Sequence, residues 1–494
     1  MFDLLMSYSP IVILLITITF VLSRMPKVQL GHTDAFRRRR IMNWLPLGLT
    51  YALLYMGRYN LTVSKNAMGS LMSNADFGTI FFWGTLIYGF SFVINGPITD
   101  RIGGRKTIMI SAIGSAFANL AMGAVVYMGI TQDLVLIFSV LYAVNMYFQS
   151  FGAVAIVKVN ASWFHVRERG TFGGIFGILI SLGILLAFDV GGAITRHYPT
   201  HWVFFIPFAM LLVFAAIDYF MVYDTPSDTG HVDFDTADAS SGNTEGRLPV
   251  MVVAKRMLSN PIILTIAFVE FCSGFLRNAI MHWYIIFAKQ TGIMGSFVPK
   301  NWGMLLCVAG ILGGVFAGTI SDKFFQSRRG PVSAVLYGIM LVGAVGACFM
   351  INSPMLGYTV IFMSMAIIGV HGMLSGTASM DFGGKKNVGV AVGLIDGFVY
   401  LGTAAQSLLY GMILPSGEAA KNPANWSNWP LAMLPVAAVG MFLAIRVWNA
   451  KPQPKAVPVA AGLAVDELGK VGVLQPGLVM VSPGTMQSTL RESK

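Results

Sequence analysis

The chain has 494 residues, of which 55% are hydrophobic and 11% charged, against roughly 25% charged in a soluble domain. Its 33 basic and 22 acidic side chains are too few to cover a soluble core of this size. That excludes a soluble enzyme, a disulfide-built secreted scaffold, a disordered chain and a nucleic-acid binder, and it leaves a helical membrane protein with room for about a dozen spans of roughly 20 residues.

The first apolar run, 9–23, has no basic start and no small-residue cleavage site, so a removable signal peptide is not expected. It reads equally as a thirteenth span with its N-terminus outside or as an interfacial helix. Twelve runs follow, at about 43–66, 78–98, 107–129, 134–160, 171–193, 202–223, 262–288, 302–321, 332–351, 355–379, 388–413 and 430–448. One set of connectors carries Arg37–Arg40, Arg101/Arg105/Lys106, Arg167/Arg169, Lys255/Arg256, Lys323/Arg328/Arg329 and Lys385/Lys386; the other carries only scattered lysines and Arg196. The basic side is therefore cytoplasmic, and most of the net charge of +11 sets orientation. The polar stretch at 224–260, with few apolar residues between Asp233 and Asn243, reads as a mobile cytoplasmic linker. The expected organisation is an extra N-terminal helix and basic segment (1–42), a six-helix half (43–223), the linker (224–260), a second six-helix half (261–448) and a disordered tail (449–494). Cys272, Cys307 and Cys348 lie in apolar runs without ligand spacing, so neither a disulfide nor a metal site is expected.

The second half echoes the first. Gly96-Pro97-Ile98-Thr99-Asp100-Arg101 recurs as Gly318-Thr319-Ile320-Ser321-Asp322-Lys323, 222 residues on, while Arg58 and Arg277, like Gly170 and Gly389, are 219 apart. A repeat at one offset predicts an all-α fold of two six-helix bundles related by a pseudo-twofold axis, with the substrate site between them near the midplane. In the repeated loop, glycine allows close helix approach. Asp100, Arg101, Arg105, Asp322 and Lys323 can form charge-assisted bonds that break and re-form as the halves rock, which makes them candidate gating residues.

Ionisable residues inside the hydrocarbon region are costly and mark functional sites. Arg58 lies about 22 Å into its span at 1.5 Å per residue, and Arg277 is about as deep, too far for either to snorkel out. Two facing guanidiniums repel, so the site favours an anion, and their forks suit phosphate or carboxylate. The alternative is that each pairs with a buried carboxylate; Glu270, seven residues before Arg277, could serve one of them. Tyr51, Tyr55 and Arg58 share a helix face. Lys158, Gln149, Asp189, Glu270, His371 and Asp396 are the other intramembrane polar groups. Lys158 is near enough to the cytoplasmic end to snorkel, whereas Glu270, His371 and Asp396 could carry a proton or pair with the arginines.

These residues resemble the organophosphate:phosphate antiporters of the major facilitator superfamily. The resemblance rests on Tyr51-xxx-Tyr55-xx-Arg58-x-Asn60, Phe148-Gln149-Ser150, Trp163-Phe164-xx-Arg167-Glu168-Arg169-Gly170, Arg277 with Trp283, the Asp322…Arg328-Arg329-Gly330 loop, Lys385-Lys386 and Tyr400-Leu401-Gly402, and covers about residues 43–448. It implies the major facilitator fold, with Arg58 and Arg277 on the phosphoryl group and Tyr51, Tyr55, Tyr400 and Lys158 around it. The chain departs from the family at Phe92, where a lysine is typical, near Ile180, where a histidine is, and near Val392 and Ile395, where the hexose-phosphate carriers have Asp and Lys.

The expected function is alternating-access exchange of a sugar phosphate or glycerol phosphate for inorganic phosphate. The carrier would be a monomeric multi-pass protein of the cell (inner) membrane, without cofactor or metal and not an enzyme. The alternatives are a proton-coupled symporter of a sugar acid or other organic anion, and a transporter-like sugar-phosphate sensor.

Overall fold

Inside a hydrocarbon layer a chain can satisfy its own peptide groups only as helices or closed barrels, and long apolar runs without strict alternation select helices. The computed structural model describes residues 15–20, 30–165, 168–236, 252, 255, 257–325, 329–449, 464–465 and 471–472; at 169–176, 319, 322, 323, 375–389, 391, 392, 464–465 and 471–472 it describes the backbone alone. Eleven long helices carry the twelve predicted runs among the described residues: α1 (Asp34–Met68), α2 (Asn74–Ile102), α3 (Gly104–Tyr127), α4 (Leu134–Trp163), α5 (Arg169–Leu185), α6 (Trp202–Met221), α7 (Pro261–Met281), α8 (Trp302–Phe325), α9 (Arg329–Phe349), α10 (Met355–Ile413) and α11 (Asn428–Arg446). The starts have local causes. Thr33 caps α1 by accepting from the Phe36 N–H at 3.2 Å, Ser73 and Asp76 form a capping box on α2, and Asn260 followed by Pro261 opens α7.

Three helices depart from a simple span. α5 passes through a π turn at Leu186–Val190 before continuing as Gly191–His197. α7 is interrupted at His282 and resumes as Trp283–Gln290. The runs expected at 355–379 and 388–413 both fall within the helical stretch α10. Its two arms lie side by side, because His371 bonds Glu270 while Val399 packs on Gly274, one turn further along α7, so the chain reverses direction between them. The predicted gating residues Asp322 and Lys323 are described by backbone alone, and most of the run 9–23 lies outside the described residues. Residues 15–20 are helical, and Ile18 packs against Cys307 and Ile311 of α8.

The start of the predicted linker is not free. Residues 224–236 fold under α1: Phe234 packs edge-on against Phe36 at 5.7 Å and His32 at 4.9 Å, and Phe36 stacks on Trp163 at 5.8 Å. Sequence polarity missed this because two aromatic rings in a polar stretch suffice to anchor it. The tail, 449–494, is described only at residue 449 and at an antiparallel pairing of Ala464–Val465 with Val471–Gly472, considered by itself.

Close packing between the two bundles runs along α2 and α10. Gly78 lies on Gly411, where an added Cβ would fall 2.7 Å from the Gly411 Cα, so only glycine admits this approach. On the side opposite the basic loops the bundles are also joined by polar contacts. Asp189, in the π turn of α5, accepts from the N–H groups of Gly303 and Met304 at the first turn of α8, both at 2.7 Å. Asn74 and Gln290 exchange amide bonds at 3.0 and 2.9 Å, and Thr62 meets His282 Nδ1 at 2.7 Å. Asp189 thus caps a helix of the other bundle, where a carboxylate is favoured by both the free N–H groups and the dipole. Each such charge-assisted bond contributes about 1.5–3 kcal/mol. Asp189→Ala should therefore favour opening on this side, raising at least about tenfold the rate at which an impermeant maleimide from outside labels Thr85→Cys in a background without the natural cysteines. An unchanged rate would show that the cap does not hold this side closed.

Candidate functional site: an arginine pair between the bundles

Arg58 sits in the middle of α1 with no exposed surface. Polar side chains of α3 and α4 pin its turn: Asn119 and Asn145 both donate to the Gly57 carbonyl, at 3.2 and 2.9 Å, and the Tyr142 hydroxyl donates to the Arg58 carbonyl at 3.2 Å. The guanidinium is then held by three further residues. Its Nε donates to Gln149 Oε1 at 2.8 Å, Nη1 to the Tyr400 hydroxyl at 2.9 Å, and Nη2 to the Tyr88 hydroxyl at 2.6 Å. Its Cζ also lies 4.7 Å from the Tyr55 ring centroid and 4.5 Å from that of Tyr88. Ring faces so placed stabilise a desolvated cation by about 2 kcal/mol each.

Arg277, 7% exposed on α7, approaches from the other bundle, with its Cζ 6.0 Å from the same Tyr400 ring. Both arginines line one enclosed space together with Tyr59, Thr85, Asn278 and Tyr400; it measures ≈ 10 Å³, about what a single water molecule needs. A guanidinium has five N–H donors. Arg58 commits three to these neutral oxygens, so among the described residues its charge is solvated by hydroxyls and an amide and not by a carboxylate. Two guanidiniums around one cavity suit an oxyanion, and an oxyanion larger than water can enter only if the helices part.

Several residues singled out from sequence meet here: Arg58, Arg277, Tyr55 and Tyr400. Tyr51 is buried one turn along, edge-on to Tyr55 at 5.2 Å. Lys158 lies elsewhere, paired at 2.7 Å with Asp100 on the basic side of the first bundle. The remaining loop residues also act locally. Arg101 is exposed, while the Arg105 backbone N–H donates to Asp224 at 2.9 Å and its guanidinium lies 4.5 Å from the Tyr223 ring. Gly103, at φ 89°, leaves the space that Asp224 occupies. Glu270 pairs with His371 at 2.9 Å instead of with Arg277, and Asp396 is buried on the returning part of α10. Tyr88 and Thr85 were not singled out, although a tyrosine amid the apolar run 78–98 is itself a signal. Gln149 stands in sequence as an intramembrane polar group and within Phe148-Gln149-Ser150, and its role depends on a residue 91 positions away. Phe92, at the position where a lysine is typical, stacks on Tyr400 at 5.8 Å.

A family model described as Major Facilitator Superfamily matches residues 47–407. The chain belongs to the Major Facilitator Superfamily and is an integral, multi-pass membrane protein. Among curated relatives, a glycerol-3-phosphate transporter of Bacillus subtilis (strain 168) is 25% identical over 431 residues, 84% of this chain and 94% of that one. The membrane sensor protein UhpC of Escherichia coli (strain K12) is 24% identical over 440 residues, 86% and 95% of the two chains. A probable hexose phosphate transport protein of Chlamydia trachomatis serovar D is 23% identical over 438 residues, 84% and 92%. These are relatives of the kind that the resemblance to organophosphate:phosphate antiporters anticipates. A solved bacterial homologue of the human lysosomal transporter Spinster shares the fold, with a TM-score of 0.60 at 17% identity, covering 84% of this chain and 98% of that one.

Gln149 positions the Arg58 guanidinium through its Nε. Gln149→Leu should leave that donor buried and unpaired and weaken anion binding roughly tenfold, while Gln149→Glu, which introduces a competing carboxylate, should weaken it further. Equilibrium binding of labelled phosphate to the purified variants tests the order wild type, Leu, Glu.

Proposed function

We propose that this chain exchanges a phosphorylated organic anion, a sugar phosphate or glycerol phosphate, for inorganic phosphate by alternating access. The observation that carries the reading is that Arg58 and Arg277, one from each bundle, line a single enclosed cavity bridged by Tyr400. A phosphoryl dianion can accept from both guanidiniums at once, in the fork geometry at which arginine excels. Such an anion offsets the repulsion between the two cations, so the closed arrangement is more favourable loaded than empty. The loaded carrier reorients readily and the empty one slowly, which makes transport an exchange. Inorganic phosphate presents the same dianion to the same groups, and the relatives named for glycerol-3-phosphate and hexose phosphate transport support this substrate class.

Counterflow in liposomes tests the proposal. Vesicles preloaded with phosphate should take up labelled phosphate and glycerol 3-phosphate without a proton gradient. Arg58→Lys and Arg277→Lys, which lose the bidentate fork, should each slow uptake about 10- to 150-fold, the equivalent of one or more charge-assisted bonds. Normal uptake by Arg277→Lys would exclude the paired clamp. The relationship to a membrane sensor protein favours one second reading, a sugar-phosphate sensor with the same site; binding of glucose 6-phosphate with no flux in the same vesicles would establish it.

A further inference from the structure

We propose that Glu270 and His371 form a proton-binding site linked to the anion site, so that each phosphoryl anion bound draws a proton into the second bundle; this rests on reading Arg58 and Arg277 as the anion site. Glu270 has no exposed surface and lies on α7 two turns before Arg277, on the same helix face, about 10 Å along the axis at 1.5 Å per residue. Its Oε2 meets His371 Nδ1 at 2.9 Å, and the His371 side chain is 19% exposed. The carboxylate is thus fully enclosed, and the imidazole is the more accessible member of the pair.

The choice of partner matters. A buried carboxylate needs a compensating group, and a fixed cation would serve a purely structural pair. Here the partner is the side chain whose charge changes near neutral pH. With the neutral ring donating Nδ1–H to Oε2, the basic nitrogen is Nε2, and a proton arriving there makes the pair one unit more positive. Nothing is consumed beyond the proton itself.

The surrounding groups decide when that proton binds. On α7 these are Arg277, within electrostatic reach of both partners, and Cys272; on α10 they are Asp396, within reach of His371, and Tyr400. Tyr337 of α9 lies within reach of Glu270, and α11, which also packs on α7, carries only Arg446 at its basic end. Arg277 is therefore a cation that opposes protonation; Arg329 of α9 lies against the same stretch of α10 as His371, 3.5 Å from the Met373 carbonyl. A dianion seated on Arg277 reverses the local sign, and over about 10 Å each unit of charge so compensated changes proton affinity on the order of tenfold. By reciprocity a proton on the pair strengthens anion binding by the same factor. Phosphoryl binding thereby becomes proton uptake, and a pH gradient can bias an exchanger toward accumulation.

Calorimetric titration of the purified full-length protein with glycerol 3-phosphate, in two buffers of different ionisation heat at one pH, counts the protons taken up per anion. At the pH midway between the pair's proton affinities with and without the anion, wild type should take up about half a proton more than Glu270→Gln, which retains a hydrogen bond to His371, as a tenfold coupling dictates; ionisation of the ligand itself is common to both and cancels. His371→Asn should behave like Glu270→Gln, and in both variants the anion affinity should lose most of its roughly tenfold decline with rising pH. Equal proton counts in proteins that all bind the anion would overturn the linkage and leave the arginine site standing. Absence of binding in wild type would overturn the arginine site and the linkage with it.

Discussion

A guanidinium with no exposed surface in the middle of a membrane-spanning helix is the constraint around which the first bundle is organised. Arg58 cannot reach water, so its charge must be solvated by the protein, and α1, α2, α4 and α10 each bring a polar or aromatic group to it. Two asparagines and a tyrosine of α3 and α4 are spent on the backbone carbonyls of Gly57 and Arg58. The partners are oxygens of an amide and two phenols, with no carboxylate among those bonds. That choice keeps the cation ordered but leaves its field available to a ligand, as binding an anion requires and as a structural ion pair would not allow.

Tyr400 makes the constraint common to both bundles. It accepts from Arg58 and lies against Arg277, on a part of α10 that packs along α2 through glycines. The same helix therefore carries the bridge between the cations and the surface on which the bundles meet. At the side opposite the basic loops, Asp189 uses the N-terminus of α8 as its partner. These inter-bundle contacts combine hydrogen bonds and close glycine approaches with aromatic contacts such as Phe77 on Trp283 and Phe81 on His282. The carboxylates of the basic side, Asp100 with Lys158 and Glu168 with Arg40, instead pair within the first bundle and stiffen it as a body.

Phe92 adds to that bridge: its ring stacks on Tyr400 at 5.8 Å, so α2 meets α10 through an apolar contact beside the hydroxyl that Arg58 uses.

The sequence alone was enough to determine the membrane class, the positions of the helical runs, the two-fold repeat and the depth of Arg58 and Arg277. All of these follow from hydropathy, charge placement and spacing along one helix, which are local properties. Tyr55 and Arg58 could be placed on one face for the same reason. What only the tertiary structure decided is who partners whom: Gln149, Tyr88 and Tyr400 on Arg58, Lys158 with Asp100 away from the cavity, Glu270 with His371 in place of Arg277, and the docking of Phe234 under α1. Periodicity reports the face and depth of each helix, but the rotation and neighbour of that face are set by packing between segments as far apart as 342 residues, and no local pattern encodes that choice.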